Sequence, residues 1–135
     1  MALQYSVTVR NAQLDAFETA IGASAVLKIR TGSPPANCAT ADSGTVLATL
    51  NLPSDWMAAA SSGSKAKSGT WEELSADATG TAGHWRLYAS DGTTCHAQGT
   101  CTATGGGGDM TLDNTSINSG QTVTVTGFTI TAGNA

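Results

Sequence analysis

Two rhythms of hydrophobic and polar positions divide this chain, and the change between them falls at Gly22. Before it, Leu14, Phe17 and Ile21 recur three and four residues apart, which puts them on one face of a helix with Val9 or Arg10 one turn above. Ala12, Ala16 and Ala20 recur at every fourth position and form a second strip of small side chains. Ser6 is a good N-cap, because its hydroxyl can accept from a free amide of the first turn. Gly22 stands where a helix commonly ends in a conformation that suits glycine. The pattern predicts one helix over residues 6–22. Its Leu-Phe-Ile stripe should cover a sheet, and its alanine strip would allow close approach of a neighbour.

Beyond Gly22 the period drops to two. Ala25 to Thr31 and Thr45 to Leu52 read as strands, and Pro53 ends the second. Between them lies a long loop, Thr31 to Gly44, whose Pro34 and Pro35 cannot donate to a ladder. Ser54 and Asp55 suggest a cap for one short helical turn through Trp56 to Ala60, and Ser61 to Ser64 reads as a flexible hinge. Further strands are expected around Gly69–Trp71, at His84–Ala89, Thr94–Thr104 and Asp109–Leu112. Asp91-Gly92 is a two-residue hairpin signal that would set His84 opposite Gly99. Gly105 to Gly108 reads as a plain connection, because no Lys-Ser/Thr or helix follows it as a phosphate cradle requires. In the last segment Val123 and Val125 are odd, whereas Phe128 and Ile130 are even. A change of phase means one extra residue, so a bulge or sharp bend is expected at Thr126-Gly127.

These elements predict a mainly β protein: an antiparallel β-sandwich of seven or eight strands, jelly-roll-like, with one N-terminal α-helix. Residues 1–22 form the arm and helix and residues 23–135 the β-sandwich, within one compact domain.

Composition sharpens this. Charged residues make up 12%, about half the roughly 25% usual in soluble domains. Thr is abundant, and hydroxyl groups suit an outer surface that is buried on assembly, since covering a Thr costs less than covering a Lys. The net charge is −4 and the six Lys and Arg are scattered, which argues against nucleic acid as a partner. No apolar run reaches the roughly 20 residues of a membrane span. Met1 to Arg10 does not resemble a signal peptide, so the chain is expected to be made and kept in a cytoplasm until assembly or lysis. The three cysteines, Cys38, Cys95 and Cys101, are an odd number and fit free thiols better than a disulfide framework. Cys95 and Cys101 on one extended strand would share a face about 20 Å apart, too far to bond. Their spacing with His96 and Cys38 fits no usual zinc pattern, and no metal or cofactor is expected.

Catalytic candidates are few. His84 and His96 are not direct hairpin partners, Glu72 and Glu73 are adjacent and so point apart on a strand, and no G-x-S-x-G occurs. The chain is therefore not expected to be an enzyme. A carbohydrate-binding module is the rival reading, with Trp56, Trp71, Trp85, Tyr5 and Tyr88 as a stacking platform. Against it, Trp85 and Tyr88 have opposite parity in one strand, and a β domain with so few large residues needs its tryptophans inside.

Three segments carry a resemblance: RNAQLDAFETAIG with LKIRTGSPPANC, then LNLPSDWMAAASSG, then GTAGHWRLYASDGTTCHAQGTCTATGGGGDMTLDNTSINSGQTVTVTGFTIT. Together they cover most of the chain and resemble small virion structural proteins encoded in the head-and-tail gene regions of tailed phages. The resemblance implies a head decoration (cement) protein, or another tail- or fibre-associated virion component, with no catalytic residues. It implies a homo-oligomer, a trimer at local threefold positions, whose other partner is the major capsid protein and whose place is the capsid surface. The residues expected at its interface are Ala12, Ala16, Ala20, Leu3 and Tyr5, within an arm running from Ala2 to Ser6.

Overall fold

The structure is a computed structural model that describes residues 3–135. Helix α1 spans Val7–Ile21. Ser6 Oγ accepts from the Val9 amide at 3.3 Å, and Gly22, at φ 88°, donates its amide to Glu18. Leu14 and Ile21 are buried and Phe17 packs on the core. Arg10, not Val9, stands above this stripe: its guanidinium donates to the Ala132 carbonyl at 3.2 and 3.3 Å.

One flank of α1 holds an extended segment by its backbone. Asn11 accepts from the Gly63 amide at 2.9 Å, Asp15 from Ala60 at 3.0 Å and Glu18 from Met57 at 3.1 Å. The Trp56 indole donates to the Gly22 carbonyl at 3.1 Å. Helix positions 11, 15, 18 and 22 thus meet 63, 60, 57 and 56 in antiparallel order. This is why Trp56 to Ala60 is not the expected helical turn: side chains of α1 take the amides that such a turn would use internally. Ser61 to Ser64 is not a loose hinge either. Its end residues exchange two backbone hydrogen bonds around Ser62 and Gly63, both at positive φ, which is a tight hairpin turn.

The strands are β1 (Val26–Thr31), β2 (Val46–Asn51), β3 (Ser64–Ala66), β4 (Glu72–Glu73), β5 (Gly80–Tyr88), β6 (Cys95–Ala103), β7 (Met110–Leu112), β8 (Ser116–Ile117) and β9 (Val123–Thr131). They form one mixed sheet in the order β2-β1-β5-β6-β7-β9-β3, with β4 on β9 and β8 on β5. The fold is mainly β with a single N-terminal helix, as the periodicities require. The sheet curls until its ends meet: Asp77 donates to the Leu47 carbonyl of β2 at 2.7 Å, and Glu73 accepts from the Thr49 amide at 3.3 Å. Inside lie Leu27, Ile29, Leu50, Leu87, Met110, Leu112, Val123 and Val125. Phe128 is the hub of the aromatic residues, with ring centroids 5.2 Å from Trp85, 5.6 Å from Trp71 and 6.5 Å from Phe17.

Besides Leu47, skipped between Ile29–Ala48 and Arg30–Val46, three single-residue irregularities set which side chains face inward. Leu112 pairs with Val125 but Thr111 pairs with Gly127, so Thr126 is the extra residue expected from the phase change, and Phe128 enters the core because of it. Tyr88 pairs with Cys95 but Leu87 with Ala97, which leaves His96 as an extra residue. This second bulge moves His84 from opposite Gly99 to opposite Thr100. It also separates Cys95 from Cys101, which do not share a face: Cys101 joins the core, while Cys95 lies across from Tyr88 on the outer side. The third is Gly83, skipped between Arg30–His84 and Thr31–Ala82.

All pairings are antiparallel except β6 with β7. A parallel pair usually needs a crossover of about a dozen residues, yet here Thr104 to Asp109 suffices. The ladder is three residue pairs long, so the chain retraces only about 10 Å. The glycines make that possible. Gly105 and Gly107 have φ near 85°, and a Cβ on Gly106 would lie 2.7 Å from Thr102. Gly69–Trp71, expected as strand, instead links β3 to β4.

The close approach at Gly83 is testable. A Cβ there would lie 2.3 Å from the Gly32 carbonyl oxygen, and backbone cannot rotate away as a side chain can. Gly83→Ala should lower unfolding stability by about 1–3 kcal/mol, whereas Gly133→Ala, with open space around it, should change it by less than about 0.5 kcal/mol. Urea denaturation of both variants measures the difference.

Candidate functional site

Helix α1 has two very different sides. Its ionic residues Arg10, Asp15 and Glu18 are all engaged by the rest of the chain. Lys65 of β3, itself buried, completes that side with Nζ 2.7 Å from Asp15 and 3.1 Å from Glu18. Burial pulls the Lys65 ammonium down, but its hydrogen bonds to the two carboxylates outweigh this and hold it above its usual range. The opposite side exposes Thr8, Val9, Ala12, Gln13, Ala16, Thr19 and Ala20, none of them charged, and is bordered by Asp15, whose side chain is 51% exposed. An exposed helix face ordinarily carries charged residues.

The predicted interface residues fall on this side or just before it. Ala12, Ala16 and Ala20 are exposed along one line of the helix, and Val9 extends that line by one turn. Sequence reasoning placed Val9 with the core stripe as an alternative to Arg10; its 44% exposure shows the other orientation. Leu3 is 66% exposed. Tyr5 is half-buried, and its amide donates to the Asn134 carbonyl at 2.6 Å, which fastens the arm to the C-terminal tail. Ala2 lies outside the described residues.

A second constellation lies beneath the loop of residues 32–44, on the outer face of β1, β5 and β6. The loop is folded around a guanidinium. Arg86 is buried and donates to the carbonyls of Asn37 (3.3 Å), Cys38 (3.0 Å) and Thr40 (3.1 Å) and to the Asp42 carboxylate (2.5 Å). Asp42 also pairs with Arg30 at 3.1 Å and accepts from the Tyr88 hydroxyl at 2.7 Å. Burial pushes the Asp42 carboxyl up, but the hydrogen bonds from Tyr88 and Arg86 prevail and hold it below its usual value. Burial, with the Asp42 hydrogen bond, pushes the Tyr88 phenol up to about 12. Gln98 donates to the Pro35 carbonyl at 2.6 Å and His84 Nδ1 contacts the Gly32 carbonyl at 2.9 Å, which close the rest of the cover.

The remaining candidates are dispersed. Trp56, Trp71, Trp85 and Tyr88 are all buried, so they offer no open platform for a sugar ring. His84 is buried under the loop while His96 is exposed at the bulge. Glu73 is bound to the amides of Thr49 and Ser75, and Glu72 is exposed. Among the described residues no cluster of three or more His, Cys, Asp or Glu side chains is arranged to hold a metal, and no helix is long and apolar enough to cross a membrane. A cleft of about 400 Å³ opens beside α1, lined by Phe17, Trp85, Phe128 and Ile130, with Asp109 at its rim. Asp109 is already held by the Thr100 amide and hydroxyl. Comparisons with protein-family models, curated proteins and solved structures find no match.

Tyr88 reports on the loop. A phenol raised in the folded state stabilises the fold fully below its unfolded value of 10.0, and that contribution is lost as pH rises to about 12. Asp42, held low, contributes above the unfolded carboxylate value and loses its contribution as pH falls below about 4. Ultraviolet titration should therefore show one phenolate forming only near pH 12, a step absent from Tyr88→Phe. Complete tyrosine ionisation by pH 11 in the folded protein would show that the loop does not close over Tyr88. Arg86→Leu leaves three carbonyls without their donor and Asp42 with only Arg30 and Tyr88 as partners, and should destabilise by about 1–3 kcal/mol, read from thermal melts.

Proposed function

We propose that this chain is a non-enzymatic structural subunit of a tailed-phage virion. In this reading it is a head decoration (cement) protein that binds the major capsid protein as a homo-trimer and stabilises the head by bridging capsomers. The observation that carries the reading is the uncharged, exposed side of α1, with Leu3 and Val9 open beside the alanine strip. Small side chains let another surface approach the helix backbone closely, and no charge has to be stripped of water when it does. The resemblance of three long segments to small phage virion proteins supplies the kind of assembly. Such a subunit gains its binding energy from modest contacts repeated by symmetry rather than from one deep site.

The alanine strip provides the test. Ala16 is exposed, so Ala16→Glu should leave the thermal midpoint nearly unchanged, within about 0.5 kcal/mol of stability. It should nevertheless weaken self-association and particle binding at least tenfold, because it sets bulk and an unpaired carboxylate where backbones meet. Sedimentation velocity and particle co-sedimentation of both proteins measure this. A variant that assembles like the wild type would place the interface elsewhere.

A further inference from the structure

The loop of residues 32–44 carries one thiol and the strand beneath it another. Cys38 sits where the loop turns around Arg86, with its carbonyl fixed by the guanidinium at 3.0 Å. Cys95 opens β6 directly across from Tyr88, and Tyr88 and Arg86 project to the same outer side of β5. The His96 bulge is what puts Cys95 on the side of the sheet opposite to Cys101. Loop and strand thus bring the two thiols to the same side of the sheet, each near enough to affect the other. Arg86, which holds the Cys38 carbonyl, projects between the loop and β6. Both cysteines are half-buried, whereas Cys101 is buried in the core on the other face.

We propose that Cys38 and Cys95 are a redox-sensitive pair that closes to a disulfide when the protein meets an oxidising thiol couple, fastening the loop covalently to β6. Cys38 reacts first. Its thiolate attacks the disulfide of oxidised glutathione and releases one glutathione thiolate. Cys95 then gives up its proton to solvent and attacks the Cys38 sulfur, releasing the second glutathione thiolate. Two protein thiols are oxidised and one glutathione disulfide is reduced to two thiols. Burial and the Cys38 neighbour hold the Cys95 thiol at about 11, with Arg86 acting in the opposite direction, so Cys95 is slow to react alone and suits the second, intramolecular step. The closed pair ties the loop to the strand that its hydrogen bonds already grip. This inference is independent of the proposed virion role, since it concerns how the loop is held and not what the protein binds.

The experiment is oxidation of the purified, fully reduced chain with excess oxidised glutathione, acid quenching, and peptide mapping without reductant. The expected product has no covalent link between chains and is two hydrogens lighter per chain, with a single Cys38–Cys95 linked peptide and Cys101 still open to alkylation. Its thermal midpoint should rise by roughly 10 °C and return on reduction, because the bond closes a long chain loop. Cys101→Ser should behave like wild type. Cys38→Ser and Cys95→Ser should each lose the link and the rise, and a glutathione adduct should accumulate on Cys38 in the Cys95→Ser variant. A wild type that keeps three alkylatable thiols, a stable glutathione adduct on wild-type Cys38, or a link through Cys101 would each overturn the proposal.

Discussion

The helix is held by hydrogen bonds from a segment that could have been a helix itself. Asn11, Asp15 and Glu18 stand one turn apart on α1 and take the amides of Gly63, Ala60 and Met57, while Trp56 reaches the Gly22 carbonyl. Lys65 adds a buried ammonium to two of these carboxylates. Each bond is worth about 1 kcal/mol or somewhat more where a carboxylate accepts. Their main effect is orientation. They fix the helix about its own axis, so that Phe17 meets Trp56 and Phe128 and the alanine strip faces out.

The same economy governs the other side of the sheet. The chain has six basic residues, and Arg30, Lys65 and Arg86 are buried. Arg86 organises a loop that carries two prolines and little regular structure, by presenting donors to successive carbonyls as the chain turns past it. Few positive charges are left for the exterior, whereas Asp55, Glu72, Asp77, Asp91 and Asp113 are exposed, so the surface is more acidic than the composition suggests. The uncharged residues of α1 stand out against that surface, and this links the internal ionic contacts to the proposed assembly role.

Much of the fold was legible from side-chain periodicity. The helix, its two caps, the main strands and the extra residue at Thr126 each leave a local signal in residue spacing. What was not legible depends on partners distant in sequence. Trp56 to Ala60 carries turn-forming residues, but its amides are claimed by α1. The His96 bulge leaves no glycine or phase change to betray it, so the relation of Cys95 to Cys101 was read on the wrong face and the nearness of Cys38 was missed. The loop of residues 32–44 looks like a plain connection until Arg86 is seen inside it. Of the candidate interface, Ala12, Ala16 and Ala20 could be named from spacing. The character of the face emerged only when Arg10 and Glu18 were found turned toward the rest of the chain and Asp15, still half exposed, was found paired with Lys65.

If the outer side of α1 is where this protein associates, its side chains must lose solvent when copies or particle surfaces meet. Hydroxyl-radical footprinting of the wild-type chain, at low and high protein concentration and on particles, reads this directly at Leu3 and Val9. Leu74 is 70% exposed and remote from the helix in sequence, and serves as an internal reference. The account predicts that oxidation of Leu3 and Val9 falls severalfold on association while Leu74 is unchanged. Equal labelling of Leu3 and Val9 in the dispersed and associated states would contradict it.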